Sequence, residues 1–149
     1  MFHKTLPPNF KSERAGTVCF IEQEGQFLLL KRAVDSYQGG LWTAAPGGKL
    51  ESNETPLEGT IREVREETGI ELEPNQITFI QTVYYQFSDI EYRLHLFYTQ
   101  LEQKPCVTLS QAEHTEFKWA SLQDAIEWPI MRGGRECIEF ILNWKLKNS

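Results

Sequence analysis

The sequence predicts a mixed α/β sandwich, a sheet with helices packed on it. Three observations carry this. Runs rich in β-branched and aromatic residues recur along the chain. One stretch between them has complete start and stop signals for a helix, and another near the end has apolar residues at helical spacing. The 149 residues suit one domain, long enough to bury a core without disulfides or a structural metal.

Residues 1–14 are polar, contain Pro7-Pro8, and read as an N-terminal arm or an extra edge element ahead of a single domain over 15–149. Residues 15–21 and 26–31 are strands joined at Gln23-Glu24-Gly25, a hairpin signal with a turn glycine. The Gly/Pro-rich stretch from Gly39-Gly40 to Pro46-Gly47-Gly48 reads as loop. A helix is predicted over 55–68: Thr55 is the N-cap, Pro56 opens the first turn, Glu58 completes a capping box and Gly69 stops it. Strands are predicted at 77–86, 91–100 and 116–120, a short helix from about Ser121, and a further helix over 137–144.

Composition excludes several classes. Lys plus Arg number 15 and Asp plus Glu 21, a net charge of −6. So acidic a chain is a poor non-specific nucleic-acid binder, which needs many phosphate contacts. Cys19, Cys106 and Cys137 are odd in number and widely spaced, which makes neither a disulfide framework nor a zinc site and suits a reducing, cytoplasmic setting. No apolar run has the length of a secretory signal or a membrane span.

The chemistry concentrates on the first helix. Seven of the 21 acids fall between Glu51 and Glu71. At about 100° per residue, Leu57, Ile61, Val64 and Thr68 form a stripe that faces the sheet. Glu63, Glu66 and Glu67 share another face at i, i+3 and i+4, where like charges repel. A hard divalent cation with oxygen ligands reverses that repulsion. Gly59, one turn before Glu63, leaves room either for a ligand or for a neighbouring loop. Arg62 lies four residues from both Glu58 and Glu66, and reads as a clamp on carboxylates ahead of a phosphate contact.

Residues 48–70 resemble the Nudix box, G-x5-E-x7-R-E-U-x-E-E-x-G-U with U bulky and apolar. Gly48, Glu54, Arg62, Glu63, Val64, Glu66, Glu67, Gly69 and Ile70 fill every slot. The resemblance implies a Nudix-type α/β/α sandwich with a mixed β-sheet and a loop–helix–loop catalytic motif. It also implies hydrolysis of a nucleoside diphosphate linked to another group, X, with Mg²⁺ or Mn²⁺. Carried over by position, Glu63, Glu66 and Glu67 are metal ligands with the Gly47 carbonyl, while Glu54 and Arg62 hold the box together. The segment Glu113-His114…Trp119 resembles one whose Glu reaches the metals from a facing loop, so Glu113 joins the ligand set with Glu116 as fallback. Glu66, Glu63 and an acid outside the box all stay open as the general base.

Two positions depart from the family pattern. Asn53 stands where glycine is common and is expected to keep the turn by tolerating left-handed angles. Three residues separate Trp42 from Pro46 where two are usual, which predicts a bulged loop. Arg32, Lys49 and Arg93, with Lys31, are candidate phosphate contacts. Tyr85 leads the candidate stacking groups, with Tyr84, Phe87, Tyr92 and Phe97, although half of any alternating strand faces the core. Trp128 and Cys19 read as core residues, and the Cys19 placement counts against the family branch that isomerises isopentenyl diphosphate with a pocket cysteine. The C-terminal third is similar to enzymes acting on dATP and dihydroneopterin triphosphate. That favours a nucleoside triphosphate-like substrate releasing pyrophosphate, with ADP-ribose, dinucleoside polyphosphates and a non-catalytic sensing module as alternatives. The resemblance also allows a homodimer.

Overall fold

A computed structural model of the protein describes residues 1–148. Seven strands form one mixed sheet: β1 (Phe2–His3), β2 (Ala15–Gln23), β3 (Gln26–Arg32), β4 (Gly47–Lys49), β5 (Thr78–Gln86), β6 (Glu91–Gln100) and β7 (His114–Ala120). Their order is β1-β5-β6-β2-β3-β7, with β4 on β2. The β2–β6 pair is parallel and the others are antiparallel. Three helices, α1 (Pro56–Thr68), α2 (Leu122–Ala125) and α3 (Gly134–Lys147), cover the two faces. Among the described residues no helix is long and apolar enough to cross a membrane.

Strand alternation sorts the core into two layers. Phe20, Leu29, Tyr85 and Leu96 pack with Leu122, Ile138 and Ile141 on the α2–α3 face. Cys19, Ile21, Leu28, Leu30 and Phe97 pack with Val64 of α1 on the other. Cys19 is fully buried there, with its thiol pKa pushed up by burial. Trp128 packs against Trp42, ring centroids 4.9 Å apart, at the first layer.

Most elements form where the residues predict. The hairpin turns through Glu24 and Gly25, both at positive φ, the pattern whose twist matches two paired strands. The capping box on α1 is complete, and Gly69 closes the helix in the left-handed conformation. Residues 1–14 supply an edge strand, since β1 pairs with β5. Their remainder lies along the sheet: Phe10 packs edge-on against Tyr84, and Glu91 accepts from the Lys11 and Ser12 amides at 2.7 and 2.8 Å.

Three expectations are corrected. Residues 47–49 are not loop throughout: β4 pairs with the start of β2, whereas β3 pairs only with its end. Asn53 is not at positive φ, so the turn into α1 forms without left-handed backbone there. The buried stripe of α1 is Thr60, Val64, Glu67 and Thr68, with Leu57 and Ile61 only half-buried. The rotation has a polar cause. The Thr60 hydroxyl shares a hydrogen bond with that of Thr17 on β2 and meets the Pro56 carbonyl at 2.7 Å, so it can be buried without loss. Turning Thr60 to the sheet turns Glu67 inward with it.

Candidate active site

The acidic side of the site is built on α1 and the loop before it. Arg62 is the hub. Its guanidinium donates twice to Glu54 (2.9 and 2.5 Å), and also to Glu63 (2.7 Å), Glu66 (3.1 Å) and the Lys49 carbonyl (3.1 Å). The clamp reading therefore holds, but not through Glu58. Glu58 is taken by the capping box, and Glu54 reaches over from the loop instead. Arg62 holds the Glu54 carboxyl down at about 2, helped by the Glu51 amide. Gly59 makes this approach possible. A Cβ there would run into Leu50 and the Glu54 carboxylate, so its missing side chain admits the loop rather than a ligand.

The three box acids sit in different surroundings. Glu66 is exposed over 54% of its side chain, against 14% for Glu63. Glu67 is 4% exposed and accepts from the Gly47 amide at 2.8 Å. Burial pushes its pKa up to about 8, and the nearby Glu63 and Glu113 charges add to the shift. Burial also raises Glu63, again with Glu113 contributing. Glu113 thus lies within electrostatic reach of both acids. Glu116 is instead spent on Lys31 (3.8 Å) and Lys118 (4.0 Å) of its own sheet edge. Among the described residues, no three His, Cys, Asp or Glu side chains are already gathered as a metal cage.

Beside the acids, on the α3 face of the sheet, lies a cleft of about 380 Å³. Tyr85, Tyr92, Leu94 and Met131 line its apolar part. The Tyr85 and Tyr92 rings stack 4.9 Å apart, and the Tyr85 hydroxyl is fixed by donating to the Gly133 carbonyl at 2.8 Å. Arg14, Arg32, Lys49 and Arg132 are its charged side chains, and no Asp or Glu lines it. The loop with the extra residue contributes Thr43, Ala44 and Ala45 to the wall, and Trp42 pins it by accepting from the Met131 amide and donating to the Pro129 carbonyl, both at 2.9 Å. A second cavity, an open trough, is lined by Glu13, Glu51, Glu63 and Glu66 with Arg14, Lys49 and Arg62.

The structure therefore brings Arg32 and Lys49 to the cleft, separates Arg93 from it, and buries Tyr85 (1% exposed) behind the Tyr92 ring, so that Tyr85 is a core residue and Tyr92 takes the place expected for a stacking group. Arg93 alternates to the opposite face of β6, where its guanidinium lies over Phe10 (5.3 Å) and Tyr84 (5.8 Å). Tyr84 follows it, and Phe97 is buried under α1. Phe87 packs on Tyr85 and lies under Arg132, 4.1 Å from the ring centre. Sequence reasoning missed Arg14, Met131 and Arg132. The last two come from the turn between α2 and α3, which carries no local signal of which cavity it borders.

Comparison with known proteins identifies the family. The NUDIX domain family model matches residues 11–139. An 8-oxo-dGTP diphosphatase from Proteus vulgaris is 39% identical over 83 residues, 56% of this chain and 70% of that one. A CTP pyrophosphohydrolase from Escherichia coli strain K12 is 33% identical over 110 residues, 74% and 77% of the two chains. Among solved structures, a MutT protein from Methanosarcina mazei Go1 superposes with a TM-score of 0.73 at 29% identity, covering 89% of this chain and 94% of that one. Since the family model runs through the acidic helix and every residue that lines the cleft, the chain belongs to the Nudix family of pyrophosphohydrolases.

Proposed function

We propose that the protein hydrolyses a nucleoside triphosphate-like substrate, of the dNTP or dihydroneopterin triphosphate type, at a diphosphate bond and releases pyrophosphate. One juxtaposition carries this reading. A cleft with stacked aromatic rings, four cations and no carboxylate opens beside a trough lined by Glu63 and Glu66. The first suits a base and an anionic chain, the second a divalent metal. The names of the two relatives, which act on an oxidised dGTP and on CTP, support the same class.

The donor set fits Mg²⁺ or Mn²⁺. Glu67 is a buried carboxyl whose only hydrogen bond among the described residues is from a backbone amide, a position that a hard cation stabilises. Gly48 leaves the space: a Cβ there would fall on the Glu63 carboxylate. Glu63, Glu66, Glu67, Glu113 and the Gly47 carbonyl would hold the metal. Bound there, such a cation would neutralise the diphosphate and lower the pKa of a coordinated water.

The chain's own residues do the rest. Arg32 and Lys49 offset the charge of the phosphate chain, and the Tyr92 ring, backed by the buried Tyr85, forms a flat wall for the base. Arg62 keeps Glu63 and Glu66 in place. The proton of the attacking water passes to a solvent-facing carboxylate, Glu66 or Glu113, while water oxygen bonds to phosphorus and the bridging P–O bond breaks.

The test is a panel of canonical and oxidised dNTPs, dihydroneopterin triphosphate, ADP-ribose and a diadenosine polyphosphate, with Mg²⁺ and separately Mn²⁺, and products identified by chromatography. Pyrophosphate from one triphosphate, lost in Glu67→Gln, is the expected result. Preference for ADP-ribose or a dinucleoside overturns the substrate class. Ligand binding without any turnover makes the protein a sensing module.

A further inference from the structure

The cleft and the trough share three residues, Arg14, Ala15 and Lys49. A ligand that occupies both must pass them. Arg14 ends the polar N-terminal segment, and its backbone is fixed by its neighbours. Its amide donates to Ser12 Oγ (3.0 Å), its carbonyl accepts from the Arg93 amide (3.0 Å), and the next carbonyl, that of Ala15, accepts from the Leu50 amide (3.0 Å). The segment before it is captured by Glu91 through the Lys11 and Ser12 amides, and by Arg93, which lies over Phe10 and donates to the Ser12 carbonyl. The Arg14 side chain, by contrast, is exposed and makes no ion pair among the described residues. A fixed backbone thus presents a free guanidinium at the passage between a cationic cleft and an acidic trough. A planar fork of donors suits the oxygens of a phosphate.

We propose that Arg14 binds the phosphate chain of the substrate where it crosses from cleft to trough, beside Lys49, so that the N-terminal segment is a wall of the active site. This rests on the polyphosphate reading above. Glu91 and Arg93 are positioning residues: they touch the segment and not the ligand. Arg93 therefore serves the phosphate chain through the backbone of Arg14 rather than by contact.

Inorganic tripolyphosphate tests this without a base. Calorimetric titration in Ca²⁺ compares the wild type with Arg14→Gln, Arg14→Lys and Lys147→Gln. The last makes the same charge change on α3, in neither cavity. Arg14→Gln is expected to weaken binding about tenfold, Arg14→Lys about threefold, and Lys147→Gln not at all. Equal affinity in Arg14→Gln and Lys147→Gln overturns the assignment. So does an equal loss in both Arg14 variants accompanied by a lowered melting temperature, which marks a folding effect. Failure of the wild type to bind overturns the polyphosphate reading and this one together. Binding that is unchanged by Arg14→Gln overturns this one alone.

Discussion

At the scale of single residues, the site is a balance between one guanidinium and several carboxylates. Glu54 and Arg62 are 11% and 17% exposed, so their bidentate pair is shielded from solvent. Arg62→Lys keeps the charge and loses the fork. It should lower stability by about 1–3 kcal/mol, read from urea midpoints. It should also cut kcat by about 10–100-fold, as expected of a residue that orients metal ligands. Glu67 has the opposite problem, a buried carboxyl that makes no ion pair among the described residues. Its pKa of about 8 lies above the ordinary value of 4.5, so the metal-free native state keeps a proton that the unfolded chain has released. This contribution is full below pH 4.5 and is lost as pH rises through 8. Glu67→Gln keeps an acceptor for the Gly47 amide and cannot ionise. Denaturation in chelator should therefore show the variant gaining on the wild type as pH rises across that window. In Mg²⁺ its turnover should fall by more than about 100-fold, beyond the loss of a residue that only supports a ligand.

At the scale of elements, α1 and α3 are each fastened to the sheet by a polar contact as well as by apolar packing. For α1 it is Thr17 with Thr60, which sets the rotation that brings Glu67 to Gly47. For α3 it is Lys145, which donates to Glu22 Oε1 (2.5 Å) and to the Tyr98 hydroxyl (3.0 Å) at the end of the sheet away from the cleft. Glu22 is only 6% exposed. Lys145→Met removes its cation and leaves Tyr98 as its hydrogen-bond donor, which should cost about 1–3 kcal/mol. Because α3 also borders the cleft through Cys137, the variant tests whether this anchoring matters to the site. The expected outcome is a lower melting temperature with KM unchanged, because Tyr85 and Gly133 hold the cleft end of the helix independently.

At the scale of the whole molecule, the charge distribution is more telling than the total. The chain carries −6, yet its cleft is lined by four cations and no carboxylate. Salt screens such attraction, so raising ionic strength from about 0.05 to about 0.5 M should raise KM several-fold with kcat little changed, measured on the best panel substrate. The sequence alone determined the box, the capped helix that bears it and most of the strands, because these depend on spacing within one segment. It pointed to Arg62 as a clamp for the same reason, but left Gly59 open between room for a ligand and room for a loop, which the contact with Leu50 and Glu54 decided. The tertiary structure decided what depends on register between distant segments. The alternation of β6 turns Arg93 away from the cleft and Tyr92 into it. The Thr17–Thr60 contact rotates α1, and the pairing of β2 with both β4 and β6 places Arg14 at the mouth of the site. A helix carries its own periodicity in sequence. Which face of a strand meets which cavity is settled only when strands far apart in the chain pair, since a shift of one residue exchanges the faces.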